Sequence, residues 1–196
     1  MVTHLQPLFI GPAGRLWGFK HGVTHNVPFP TQNSSKGSGA MMGVVMHTEV
    51  APSDTGVIKE FNNLSAEASA FFSVNFLGHT HQFIPIGKGY YSWAQMAGNK
   101  AWYSIEFEDK GFPNTPLSTE QQEAAAQLVE FLSRFAGFPL TETNSVDTPG
   151  FGIHAMGGQA WGGHTCPDLP PAHVRSQQRD SILAMARAIR NFTAGG

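Results

Sequence analysis

The sequence predicts an α/β fold: a central mixed β-sheet flanked by α-helices. Three observations lead there. Short apolar runs of strand character occupy 40–46, 70–77, 80–86 and 101–107. Two longer segments repeat apolar residues at helical spacing, Ala125, Leu128, Leu132 and Phe135 in one and Ile182, Met185, Ala186 and Ile189 in the other. The resulting order of strand, helix, hairpin, strand, helix, strand, helix is that of a mixed sheet with helices packed on its faces.

Residues 1–39 are rich in Gly, Pro, Ser and Asn, and NSSKGSG at 33–39 has a flexible-loop composition. They read as a loop-rich N-terminal extension to a single domain spanning 40–196. The run AMMGVVM at 40–46 suits a buried strand. Ser53 or Asp54 can N-cap a short helix over 55–62. The runs at 70–77 and 80–86 flank Gly78 and His79, the pattern of a β-hairpin. AWYSIEF at 101–107 is a further strand. Ser118 and Thr119 each have Gln three residues on, a capping-box arrangement, and Gly137 fits the position just past the helix end. GFGIH at 150–154 is a short strand or turn, and a last amphipathic helix covers 175–193.

Composition excludes several function classes. A chain of 196 residues, 41% of them hydrophobic, can bury a core without disulfides. Its single Cys rules out an internal disulfide. Charged residues are 13% and the net charge is -2, which excludes a strongly basic nucleic-acid binder. No apolar run reaches the ~18–20 residues of a membrane span, so no membrane insertion is expected. The N-terminus lacks a basic stretch followed by an apolar core, so no secretory signal is expected. No G-x-S-x-G elbow or Walker-type loop occurs. The 9 His residues direct attention to metal chemistry.

Three metal-type ligands stand at the ends of predicted strands or close after them: His47 after GVVM, His154 after GFGI, and Cys166 in GGHTCPD. Two imidazoles and a thiolate leave one position open on tetrahedral zinc, the pattern of a catalytic site. The ordinary alternatives are strand-end histidines satisfied locally and an inert packed Cys; spacing alone does not decide. His79 and His81 form an H-x-H pair able to chelate from one strand face, the alternative being a solvated hairpin edge. His4, His21, His25 and His173 fall in predicted loops or tails without an evident partner. Glu106 alternates with Ile105 and Phe107, so it projects from the opposite face of its strand. There it is either a surface carboxylate or a partnered acid in a site.

Read together, these segments resemble the zinc-dependent N-acetylmuramoyl-L-alanine amidases, the superfamily of phage lysozyme-type amidases and peptidoglycan recognition proteins. VVMHTEV at 44–50 resembles the first-ligand strand, and SAFF at 69–72 with GHTHQFIP at 78–85 the S-A-H-F…D-G-x-I-x-Q-x-x-P hairpin. SWAQMAGN at 92–99 resembles A-W-H-A-G…N, YSIEFED at 103–109 the S-I-G-I-E strand, and GIHAMGGQAWGGHTCPD at 152–168 the closing G-x-x-H…T-x-C-P-G segment. Actinobacterial phage endolysins are the most similar branch, through AWGGHTCP.

The resemblance implies one zinc per chain on His47, His154 and Cys166, with His164 as the alternative third ligand. It implies Glu106 as catalytic acid/base and His164 as oxyanion stabiliser. Trp93, Asn99 and Trp161 are the implied substrate contacts. Trp93, Trp102 and Trp161 are candidates to line the groove, with core packing as their other reading. The implied activity is cleavage of the amide between N-acetylmuramic acid and the stem peptide's L-alanine, by a monomer made in a host cytoplasm and acting on the wall. A non-catalytic peptidoglycan-binding module is the alternative, as is a different zinc hydrolase built on His79 and His81. The chain departs from the family pattern at Ala70, where some members carry a catalytic Tyr, at Phe71 in place of the hairpin His, and at Asp168 in place of the Gly of C-P-G.

Overall fold

The computed structural model describes residues 5–24, 29–51, 53–112, 114–168 and 173–194. His4 and His25 lie outside them. Among the described residues ten strands and four α-helices follow in order: β1 (Phe9–Ile10), β2 (Leu16–Trp17), β3 (Val23–Thr24), β4 (Ser34–Lys36), β5 (Gly43–Thr48), α1 (Asp54–Phe61), β6 (Phe72–Val74), β7 (Thr80–Gln82), β8 (Tyr90–Ser92), β9 (Trp102–Phe107), α2 (Thr119–Ala136), β10 (Gly150–Ile153), α3 (Val174–Gln177) and α4 (Arg179–Ala194). A six-stranded sheet has the order β10-β5-β9-β6-β7-β3. All its neighbours are parallel except β6 and β7, which form the expected hairpin with Ser73 opposite His81. The sheet is therefore mixed, as the order of elements predicts.

Side-chain alternation divides its two faces. Val44 and Met46 of β5, Tyr103, Ile105 and Phe107 of β9, and Phe151 of β10 join one large cluster with Leu128 and Leu132 of α2 and Ile182, Ala186 and Ile189 of α4. Burying each of the larger side chains among them contributes roughly 1.5–3 kcal/mol. Val45 and Trp102 turn the other way, onto Trp161.

The ends of α2 are formed as its sequence suggests. The Ser118 hydroxyl accepts the Gln121 N–H at 3.1 Å, the Gln121 side chain accepts the Ser118 N–H at 3.0 Å, and Gly137 closes the helix at φ 82°. Gln121 also donates to the carbonyls of Val74 and Glu108, at 3.1 and 3.0 Å, so the helix start is tied to the ends of β6 and β9.

The N-terminal stretch holds four of the strands, each of two or three residues and too short to show a period. Its anchors are side chains. Leu5, Leu8 and Leu16 are buried in the main core. Gln82 accepts the Leu16 N–H at 2.8 Å and donates to the Gly14 carbonyl at 2.8 Å. His21 and Lys20 both reach the Glu123 carboxylate of α2, at 2.6 and 2.8 Å.

Candidate active site

The strand register assembles the site. In the parallel β5–β9 pair His47 lies opposite Glu106, and in β10–β5 Ile153 lies opposite Met46, so the next residue, His154, emerges beside His47. The two imidazole rings are 4.6 Å apart. Beyond the 3₁₀ segment His154–Trp161 the chain turns back, and the Thr48 N–H meets Cys166 Sγ at 3.1 Å. One ligand atom from each of His47, His154 and Cys166 lies within 4.8 Å of the others. Glu106 Oε1 is 3.8 Å from His47 Nδ1.

Each imidazole is held by its outer nitrogen. His47 Nε2 bonds Gln95 Oε1 at 3.2 Å, and His154 Nε2 bonds the Trp161 carbonyl at 2.8 Å. Both acceptors are oxygens, so both histidines carry their proton on Nε2 and leave Nδ1 with a free lone pair. Gln95 is itself fixed: its amide donates to the Trp102 carbonyl at 3.0 Å, and its backbone N–H donates to Asn99 Oδ1 at 2.7 Å.

Burial sets the electrostatics. It holds His47 well below the ordinary imidazole value, with help from His154, and lowers His154 as well. Both rings are therefore neutral near pH 7 and able to ligate. Burial also pushes the Cys166 thiol up, and the Glu106 charge adds to this against the Thr48 N–H and Arg175. Glu106 is pushed up to about 8, chiefly by burial and then by Asp109, with Arg175 opposing.

A stability prediction follows for the metal-free protein. A carboxyl raised from 4.5 to about 8 on folding stabilises the fold below pH 4.5, and that contribution is lost as pH rises through 8. The lowered histidines act in the opposite sense, losing their contribution as pH falls below 6.5. Between pH 6.5 and 8 the Glu106 effect is the one expected to dominate. With a chelator present, the melting temperature of the wild type should fall across that window, and Glu106→Gln should abolish the fall. A wild-type curve that is flat there removes the burial argument.

The site opens into a groove of about 1030 Å³ whose walls include Trp93, Met96, Lys100 and His164. His164 is exposed, its ring 4.8 Å from that of His154, outside the three-ligand group. Trp93 is half-buried and anchored through its ring N–H to Ser35 Oγ at 3.0 Å. Trp102 is no groove residue: it is 1% exposed and packs edge-on to Trp161, which is 3% exposed. Trp161 gives the groove shape more than surface, and a Cβ on Gly157 or Gly98 would lie 2.0 or 2.5 Å from its ring. Asn99 lines the groove, but its amide oxygen is committed to the N–H groups of Ala94 and Gln95.

The H-x-H pair divides. His79 is exposed in the turn after β6. His81 is buried, not solvated as the hairpin-edge reading expects, because β3 covers that side of β7. Through Ser73 and Glu106 the register puts His81 on the same face as His47. It is three strands away, roughly 14 Å at strand spacing, too far to share a metal. Spacing also gave no sign of Gln95, Thr48 or Arg175, whose hydrogen bonds go to a His47 ring nitrogen, to Cys166 Sγ, and to the Thr48 hydroxyl and strand-end carbonyls.

No protein-family model matches the sequence, and no curated protein matches it at a significant level. Solved structures do match. The catalytic domain of XlyA aligns over 86% of this chain and 98% of its own at TM-score 0.54 and 16% identity. Hydrolase AmiA of Staphylococcus aureus, solved with its ligand, aligns over 88% and 83% at TM-score 0.58 and 16% identity. The chain has their fold. A mutant endolysin from Bacillus subtilis is similar over 86% of this chain and 96% of its own, at TM-score 0.52 and 15% identity. The mixed α/β architecture expected from the sequence is thus the one found.

Proposed function

We propose that the chain is a zinc-dependent peptidoglycan amidase of the endolysin type. It cuts the amide between the lactyl group of N-acetylmuramic acid and the L-alanine of the stem peptide. The observation that carries the reading is the three-ligand group His47, His154 and Cys166 at the floor of a groove, with the Glu106 carboxyl beside it. The similarity to the AmiA hydrolase and to an endolysin supports it, as does the ordered set of sequence segments resembling the amidases.

The donor set suits zinc. Two neutral imidazole nitrogens and a sulfur are its usual ligands, and three protein ligands leave the position a catalytic zinc needs. Both imidazoles are pre-oriented by their Nε2 bonds. When bound, zinc polarises the scissile carbonyl and lowers the pKa of water toward ~7. Glu106 takes the proton from the attacking water and returns it to the departing alanine amine. Burial pushes this carboxyl up to about 8 in the metal-free protein, and the positive charge of a bound zinc would favour its ionised, proton-accepting form. His164, at the groove wall, donates a hydrogen bond to the tetrahedral oxyanion. Trp93 offers a flat apolar face to the sugar or peptide. The partner is peptidoglycan, and the protein acts as a monomer on the wall after synthesis in a host cytoplasm. Among the described residues no helix is long and apolar enough to cross a membrane.

Product analysis tests the reaction. Digestion of peptidoglycan should release new N-terminal L-alanine amines and no new reducing sugar ends, and a chelator should stop it reversibly. A rise in reducing ends would mean glycosidase chemistry and end this reading.

Gln95 gives a second test. Gln95→Ala removes the acceptor that orients His47, so zinc affinity measured by chelator competition should fall ~10–100-fold. Unchanged affinity means that Gln95 does not orient the ligand.

A further inference from the structure

We infer that Arg175 is a positioning residue of this site: one buried guanidinium holds the Cys166 loop, the end of the His47 strand and the end of the Glu106 strand in a single frame. Arg175 is 0% exposed and lies at the start of α3. Its Nη1 donates to Thr48 Oγ1 at 2.8 Å and to the Phe107 carbonyl at 3.1 Å. Its Nη2 donates to the Glu108 carbonyl at 3.0 Å, and its Nε to the Thr115 carbonyl at 2.8 Å. Thr48 follows His47, and Phe107 follows Glu106. The guanidinium is thus bonded one residue beyond a ligand and one residue beyond the acid/base.

The third connection runs through Asp168, where the amidase pattern has Gly. Asp168 Oδ1 accepts the Arg175 N–H at 2.7 Å, and Oδ2 accepts the Ser176 N–H at 3.1 Å. A carboxylate two residues past Cys166 therefore caps the helix that carries Arg175. Thr48 closes the loop: its N–H reaches Cys166 Sγ at 3.1 Å, while its hydroxyl accepts from Arg175 and donates to Asp109 Oδ2 at 3.1 Å. Asp109 in turn accepts the N–H groups of Val50 and Ala51, at 3.1 and 3.2 Å, so both strand ends share one network.

Only an arginine fits this place. Its planar fork satisfies four acceptors at fixed angles, whereas an ammonium on a flexible stem reaches fewer. Burying a guanidinium is expensive unless its hydrogen bonds are met, and here each nitrogen has a partner. A lysine keeps the charge but loses the fork, so it separates the frame from mere charge balance. Outer partners of metal ligands typically govern affinity ~10–100-fold.

The inference rests on the zinc reading, and the test is arranged to separate the two. Full-length wild type, Arg175→Lys, Thr48→Val and Arg187→Lys are compared. The readouts are melting temperature, zinc affinity by chelator competition, the thiolate-to-metal band of the Co(II) form, and kcat and KM. Arg175→Lys should fold, bind zinc at least ~10-fold more weakly, show a displaced or weakened Co(II)–thiolate band, and lose kcat with KM little changed. Thr48→Val keeps the arginine but removes its hydroxyl partner; it should move the same readouts in the same direction, and it carries the test if Arg175→Lys does not fold. Arg187→Lys, on the exposed side of α4, should leave affinity, band and kcat at wild-type values. A folded Arg175→Lys, or failing that Thr48→Val, with wild-type affinity, band and kcat overturns the inference, whatever its melting temperature. A wild type that binds neither metal overturns the zinc reading instead.

Discussion

Glu106→Gln will keep its fold and its zinc and lose ~10²–10⁴-fold in turnover, the usual cost of a missing general acid/base. Glutamine matches the shape of the acid and keeps a carbonyl oxygen where Oε1 now stands, 3.8 Å from His47 Nδ1. It cannot take a proton. Glu106 is outside the three-ligand group, so metal content should not change, and the groove is untouched, so the affinity for muramyl peptide should hold. The loss should therefore fall on kcat and leave KM nearly constant. The same substitution removes a half-buried carboxyl whose pKa is pushed up to about 8, so the metal-free variant should be the more stable protein at pH 8. A less active yet more stable enzyme is the signature of a carboxyl kept in the site for its chemistry. Zinc content, kcat and melting temperature measured on one preparation decide the matter. Near-normal kcat with zinc bound would take Glu106 out of the mechanism, and the base would then be sought at His164 or among the loop residues 155–163.

The elements that could be read from the sequence are those whose signal is local. The capping box of Ser118 and Gln121, the helical period through Leu128 and Leu132, and the hairpin around Gly78 are all written within a few residues, and each stands in the structure. The alternation that turns Glu106 away from Ile105 and Phe107 is equally local, and it puts the carboxyl on the groove side. What stayed illegible depends on pairing between distant segments. Two-residue strands such as β3 exist because β7 offers them an edge. His81 looks like a solvated hairpin residue until that edge is covered. Trp102 and Trp93 are alike in composition and differ in the strand face and the loop they occupy. Gln95 and Arg175 have no spacing motif, because their partners are a single ligand nitrogen and a set of backbone carbonyls.

Replacing any one of His47, His154 and Cys166 by Ala should remove zinc and turnover together, a loss beyond the ~10²-fold that an outer-shell partner costs. The three proposed ligands come from β5, from the end of β10 and from the loop beyond Trp161. With one gone, the remaining two cannot close a tetrahedral site with a single open position. Cys166→Ala is the most informative of the three, since it also separates the two candidates for the third ligand. Cys166 Sγ is held by the Thr48 N–H and belongs to the compact group, whereas His164 is exposed at the groove wall. Cys166→Ala should therefore lose zinc, and His164→Ala should keep zinc while losing turnover. Retention of zinc by Cys166→Ala and its loss in His164→Ala would reverse the assignment. The hairpin histidines supply the controls. His79→Ala, in an exposed turn, should match the wild type in metal content, stability and rate. His81→Ala should lower the melting temperature, because a buried side chain is cut away between Ser73 and β3. Its zinc content should stay at one per chain, since three strands separate it from His47. Zinc lost from His81→Ala while the protein remains folded would bring back the H-x-H pair as the metal site.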